Sequence, residues 1–157
     1  MFQRRSVIGL YTLAVVGLLD QLSKAYVLDR LQDVKDTESV TSFLNLVLVW
    51  NKGITFGFLS HHQQNYLPYI LMGIAMVILF LLGRWLYRTS SAMVAVALGF
   101  IMGGAVGNVI DRVRYGAVVD FLDFYYRDYH WYAFNVADAA IFTGVALLLI
   151  DGMVRGE

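Results

Sequence analysis

Residues 92–112 read AMVAVALGFIMGGAVGNVIDR, and no charge interrupts the run before Asp111. At 1.5 Å per residue such a segment matches the roughly 20 residues needed to cross bilayer hydrocarbon. Gly99, Gly103 and Gly107 recur at i, i+4 and i+8. This small-xxx-small stripe lets membrane helices approach closely. Packing accounts for these glycines without any function. Beside the stripe, Gly104, Asn108 and Arg112 make a second i,i+4 row, and Asp111 lies three residues after Asn108. A tightly packing base therefore ends in a polar cluster, which packing does not explain.

The rest of the chain agrees with a membrane setting. It has 157 residues, 59% hydrophobic and 15% charged, where soluble domains are nearer half apolar and a quarter charged. A formal net charge of zero gives no reason to expect a nucleic-acid partner. The absence of cysteine excludes disulfides, thiolate nucleophiles and Cys-metal sites. Toward the N-terminus, an apolar helix is predicted over about 66–86, and before it another over about 6–28. The basic start MFQRR resembles a signal peptide, but no small-x-small cleavage site precedes Asp20, so an uncleaved first helix is expected. Asp20 and Lys24 are spaced i,i+4 with the acid first, the favourable order for a helical ion pair. Their ordinary reading is an interfacial pair closing the helix.

Between those two helices, about 29–65, the chain is expected outside the membrane. Asp29–Ser39 reads as polar and turn-like, and Phe43–Trp50 as a short strand. Gly53, in NKGITFGF, suggests a bend or a close backbone approach. Asn51 is a candidate donor to a substrate carbonyl, though Asn is also ordinary turn chemistry. His61, His62 and His130 give little reason to expect a metal site.

Toward the C-terminus, Gly116–Asp138, GAVVDFLDFYYRDYHWYAFNVAD, carries four carboxylates, with Val118–Phe121 a candidate further strand. Asp120 and Asp138 follow apolar or small residues instead of lying in a polar run. A carboxylate at the edge of hydrocarbon is costly unless paired, protonated or used. A last helix is predicted over about 133–150, with Asn135 and Asp138 on one face. The fold expected is a single all-α membrane domain: four transmembrane helices, a small extracytoplasmic β-sheet and a surface loop over about 29–65 and 111–132.

Arg4, Arg5, Arg84, Arg88 and Arg155 crowd the short tails and loop of one side, which places both termini in the cytoplasm. Asp20, Asn108, Asp111, Asp120, Asn135 and Asp138 then converge on the outer face. No Ser pairs with a His, so two carboxylates are the remaining acid/base candidates. Two acids in one low-dielectric pocket share a proton across a wide pH range, leaving one to deprotonate water and one to hydrogen-bond a carbonyl. Membrane carboxylates serve proton-coupled transport equally well, and that alternative stays open on pattern alone.

Five blocks, DQLSK (20–24), NKGITFGF (51–58), GGAVGNVIDR (103–112), GAVVDF (116–121) and FNVAD (134–138), together resemble the bacterial lipoprotein signal peptidase (signal peptidase II) family. They stand in family order from the first helix to the last. The resemblance implies an aspartic endopeptidase of the bacterial inner membrane that cuts prolipoproteins before a diacylglyceryl-modified cysteine. It implies no cofactor and no metal, contact with membrane lipid, and a monomer. By motif position Asp120 and Asp138 are the catalytic pair it implies. Asn51, Gly53, Asn108, Asp111, Arg112, Asn135 and Ala137 match positions that bind substrate or shape the site, and Asp20 and Lys24 match structural supports. Thr55 departs from the Ala or Ser frequent in the family. The aromatic-rich Phe56–Leu59 and Tyr125–Tyr132 are candidates to close over a bound substrate.

Overall fold

The computed structural model describes residues 4–31, 37–53 and 66–156. Its elements run α1 (Arg4–Leu31), β1 (Thr37–Thr41), β2 (Leu44–Asn51), α2 (Leu67–Arg88), α3 (Ala92–Tyr115), β3 (Val118–Tyr126), β4 (Tyr129–His130) and α4 (Val136–Arg155). All four helices are long and apolar enough to cross a membrane, and the strands form one small antiparallel sheet, β1-β2-β3-β4, as expected. The stretch 56–59 and both His61 and His62 lie outside the described residues.

α3 is the central helix, packed against α1, α2 and α4. Both glycine rows explain why. A Cβ at Gly103 would stand 2.8 Å from the Leu13 carbonyl, so this stripe admits the α1 backbone. Gly104 leaves room for the Ala137 carbonyl of α4, and Gly144 returns the fit, since a Cβ there would reach within 2.6 Å of the Ala97 carbonyl. Leu86, Val94, Ala95, Leu98 and Met102 fill the core nearer the chain termini. α2 buries only Leu86 and leaves Ile70, Ile74, Phe80 and Leu81 exposed, the composition of a lipid-facing surface.

Helix ends differ from expectation in ways that matter to the site. α3 continues through Asp111 and Arg112 to Tyr115, stopping where Gly116 takes the left-handed conformation (φ 68°) and donates its N–H to the Arg112 carbonyl. α4 starts at Val136, because Asn135 is extended and caps it. α1 runs 28 residues, about 42 Å, so its last turns project beyond the hydrocarbon. There Val27 and Leu31 pack with Phe121, Leu46 and Leu48, seating the sheet on the helix.

One reading of the polar segments is corrected. Asp29–Ser39 is not simply turn-like: α1 absorbs its start and Thr37–Thr41 pairs with β2 as an edge strand. Its exposed Thr-Glu-Ser-Val-Thr composition is that of an edge facing water. Glu38 accepts two hydrogen bonds of 2.7 Å from Arg30, which hold its carboxyl below the usual range. Tyr125–Tyr132 is largely a β3–β4 hairpin that turns at Arg127 (φ 55°). The Tyr125 N–H also donates to Phe43 and the Trp131 N–H to Phe124, ordering this stretch within the sheet.

Candidate active site

Asn135 organises the end of the bundle that carries the sheet. Its side-chain oxygen accepts from the Asp138 N–H at 2.9 Å, while the Asp138 carboxylate accepts from the Asn135 N–H at 3.3 Å. This capping box satisfies two orphan amides at the start of α4 and fixes the Asp138 side chain. The Asn135 amide donates to Asp120 Oδ1 at 2.7 Å and to the Val119 carbonyl at 3.2 Å. One fully buried asparagine therefore joins the carboxylate of β3 to that of α4.

Each acid has a second amide. Asn51, the last residue of β2, donates to Asp120 Oδ2 at 3.0 Å and accepts from the Gly53 N–H at 3.1 Å. Antiparallel pairing of Asn51 with Val118 and of Val49 with Asp120 brings it there. Asn108 of α3 donates to Asp138 Oδ1 at 2.9 Å. Asp120 is 2% exposed, whereas Asp138 is only half-buried. Burial pushes the Asp120 carboxyl up to about 6; the hydrogen bond from Asn51 opposes this, the charge of Asp138 adds to it, and Asn135 and Lys24 pull it down.

Arg112 stands beside the pair. Its Nη1 donates to the Asn108 carbonyl at 3.2 Å, its charge is felt by Asp138, Asp120 and Asp111, and its buried Nε has no partner among the described residues. Asp20 and Lys24 do not close the helix, which runs on to Leu31; both are buried, the Lys24 ammonium lying 2.8 Å from Asp20 and 2.7 Å from Asp111. Ala137 and Asp111 also face inward. The Ala137 N–H donates to Asp20 Oδ1 at 2.9 Å, and Asp111 Oδ2 accepts from the Val119 N–H at 3.1 Å. The candidate catalytic, substrate-binding and supporting residues therefore meet at one end of the bundle. Gln21 was missed; it donates to Asp111 at 3.0 Å and to the Gly107 carbonyl at 3.3 Å. Lying one residue from Asp20 on a helix, it offered no periodic signal.

The third histidine, His130, bonds Asp123 at 2.8 Å and stacks on Tyr125. No three His, Cys, Asp or Glu side chains among the described residues are grouped to hold a metal.

Fold and site together define a membrane-spanning four-helix protein with a pair of amide-held carboxylates at one end of its bundle. The family model described as signal peptidase (SPase) II matches residues 12–154, and the chain belongs to that family. It is similar to the lipoprotein signal peptidase of Methylobacterium sp. (strain 4-46), 41% identical over 94% of this chain and 90% of that one. The lipoprotein signal peptidase of Cupriavidus necator is 47% identical over 90% and 80% of the two chains. A bacterial membrane enzyme structure obtained by the in meso method at 2.3 Å resolution superposes with a TM-score of 0.79, at 29% identity over 95% of this chain and 89% of that one. A second, at 1.9 Å resolution, gives 0.74 at 30% identity over 91% and 90%. Family and helices make this a multi-pass bacterial membrane protein.

Proposed function

We propose that this chain is an aspartic endopeptidase that removes the signal peptide from prolipoproteins, cutting before a diacylglyceryl-modified cysteine, with Asp120 and Asp138 activating water. The observation that carries the reading is Asn135, bridging two carboxylates held by neutral amides in place of cations. Family membership and the names of the relatives support the substrate class. They lend nothing to a proton-coupled transporter.

The two acids divide the work by their surroundings. Asp120, buried and pushed up to about 6, is the proton holder; Asp138, more exposed, is the base. Asp138 takes a proton from water as the oxygen attacks the scissile carbonyl, and Asp120 gives its proton to the carbonyl oxygen. The resulting diol collapses, breaking the C–N bond. The departing cysteine nitrogen takes the proton from Asp138, and one diol hydroxyl returns a proton to Asp120. Arg112, whose Nε has no partner among the described residues, and the Asn51 amide are the donors that orient the substrate backbone. Asp111 and Ala137, held inward, shape the site without touching substrate.

Substrate delivery follows from lipid. Burial of a diacylglyceryl group contributes about 0.8 kcal/mol per CH₂, ample to hold the scissile bond at interface depth. The Ser6 hydroxyl donates to the Leu86 carbonyl and Arg155 to Ser91, so Arg5, Arg84, Arg88 and Arg155 gather at the end opposite the site. By the positive-inside rule that end is cytoplasmic and the site extracytoplasmic; the family resemblance implies the inner membrane and a monomer. The test compares lipidated and unlipidated precursors with purified protein. Cleavage of the lipidated one alone is expected, lost in Asp120→Asn and Asp138→Asn while the thermal midpoint persists. Full activity in either variant removes the assignment.

A further inference from the structure

Behind the proposed catalytic pair lies a second pair of acids, Asp20 and Asp111, that the chemistry does not use. Both are at most 1% exposed, and the Lys24 ammonium sits between them. It donates to Asp20 Oδ2 at 2.8 Å and to Asn108 Oδ1 at 3.1 Å, and forms an ion pair with Asp111 Oδ2 at 2.7 Å. What the two acids do with their remaining lone pairs is the point. Asp20 Oδ1 accepts the N–H of Ala137, the residue just before Asp138. Asp111 Oδ2 also accepts the N–H of Val119, the residue just before Asp120. The same device grips both elements one residue upstream of the proposed catalytic acids.

We propose that Asp20, Lys24 and Asp111 form a positioning clamp that sets the separation of Asp120 and Asp138, with Lys24 as its rigid spacer. Lys24 binds one acid on each side, α1 and α3 carry those acids, and the backbone amides transmit their spacing to β3 and α4. A third contact, through the Asn108 oxygen, orients the amide that holds Asp138. Gln21 closes the assembly by donating to Asp20 at 3.2 Å and to Asp111 at 3.0 Å. Gly107 makes room for it, since any Cβ there would collide with the Asp20 carboxylate. Charge-assisted bonds from backbone amides are about twice as strong as neutral ones, which suits parts that must not drift.

Although the clamp rests on the catalytic reading above, its geometry can be tested apart from it. Kinetics come first, with the lipidated precursor and Asp20→Ala, Asp111→Ala and Lys24→Met. A misplacement of about 1 Å costs on the order of 100-fold in turnover, so kcat should fall by about that much. KM should stay within about threefold, because ground-state binding is untouched. Asp20→Asn and Asp111→Asn keep an acceptor for the amide and should recover about tenfold of the loss. Alanine variants that are folded at the assay temperature and keep kcat within about threefold overturn the proposal, as do asparagine variants no better than alanine.

If the alanine variants do not fold, amide hydrogen exchange decides. Exchange at Ala137 in Asp20→Asn, and at Val119 in Asp111→Asn, should quicken by about tenfold over neighbouring amides. Unchanged exchange there defeats the clamp whatever the activity. Activity surviving in Asp120→Asn or Asp138→Asn instead defeats the catalytic reading, and leaves the exchange result to stand or fall alone.

Discussion

Both ends of this helix bundle bury carboxylates, and Asp151 at one end and Asp120 at the other are held differently. At the end near the termini, Asp151 is 8% exposed, lies 2.8 Å from Arg155 Nε, and accepts from Ser91 at 3.5 Å. Ser91 in turn caps α3, accepting from Val94 at 3.3 Å. At the other end Asp120 is more deeply buried, yet its hydrogen bonds come from Asn51 and Asn135, and the charge added to its surroundings by Asp138 is of the same sign. A cation satisfies a buried acid and makes it inert. Neutral amides hold it in place while leaving its proton in play. On the proposed function, the kind of hydrogen-bond partner separates the two acids more than depth does.

The sharpest way to break this contrast is to neutralise one acid at each end. Asp120→Asn and Asp138→Asn should lower kcat by roughly 10⁴-fold or more, whereas Asp151→Asn should leave it within about twofold. Its ion pair with the half-exposed Arg155 contributes about 0–1 kcal/mol, so the thermal midpoint in detergent should barely move. Comparable activity losses at both ends would erase the distinction.

Next in size is Asn135→Ala. It removes the α4 cap, at about 0.5–2 kcal/mol, and the bridge between the acids. Turnover should fall by about 100-fold with the protein still folded, as single-turnover kinetics and the thermal midpoint would report. A stability loss with normal turnover would make Asn135 a cap and nothing more.

The pH profile tests the asymmetry within the pair. Asp120 is useful while it holds its proton, so kcat/KM should fall as pH rises through about 6. A bound substrate excludes more water and favours the protonated form further, placing the same limb of kcat at higher pH. A kcat/KM that climbs through this range would exchange the roles of the two aspartates.

The smallest effects concern the helices that carry the site. Gly107→Ala should cost about 1–3 kcal/mol, since its Cβ would meet the Asp20 carboxylate. Gly73 of α2 has nothing within 4 Å of such a Cβ, and Gly73→Ala should stabilise by up to about 1 kcal/mol. Thermal midpoints of the two variants, side by side, measure how unevenly the bundle tolerates one methyl group.

Four helices were legible because hydrocarbon thickness imposes a length and an apolar composition that a linear reading detects. The glycine rows were legible as packing surfaces because a helix repeats its faces at fixed spacing. Family blocks likewise brought Asp120 and Asp138 forward as a pair. Edge strand Thr37–Thr41 was hidden, as a strand with water on nearly every side has polar composition and no apolar alternation. Asp20 and Lys24 read as a pair closing the helix, since an i,i+4 spacing says how two residues face each other and nothing about what covers them.

Residue types and their periodicities thus determined the helices, the small-residue faces and the level at which polar groups gather. Only the folded arrangement decided that one ammonium would sit between two acids and that those acids would grip the amides before two others. The reason is geometric. Hydrogen bonds from residue 20 to 137 and from 111 to 119 depend on distances that arise when α1, α3, α4 and β3 close on one another, and no local spacing along the chain contains them.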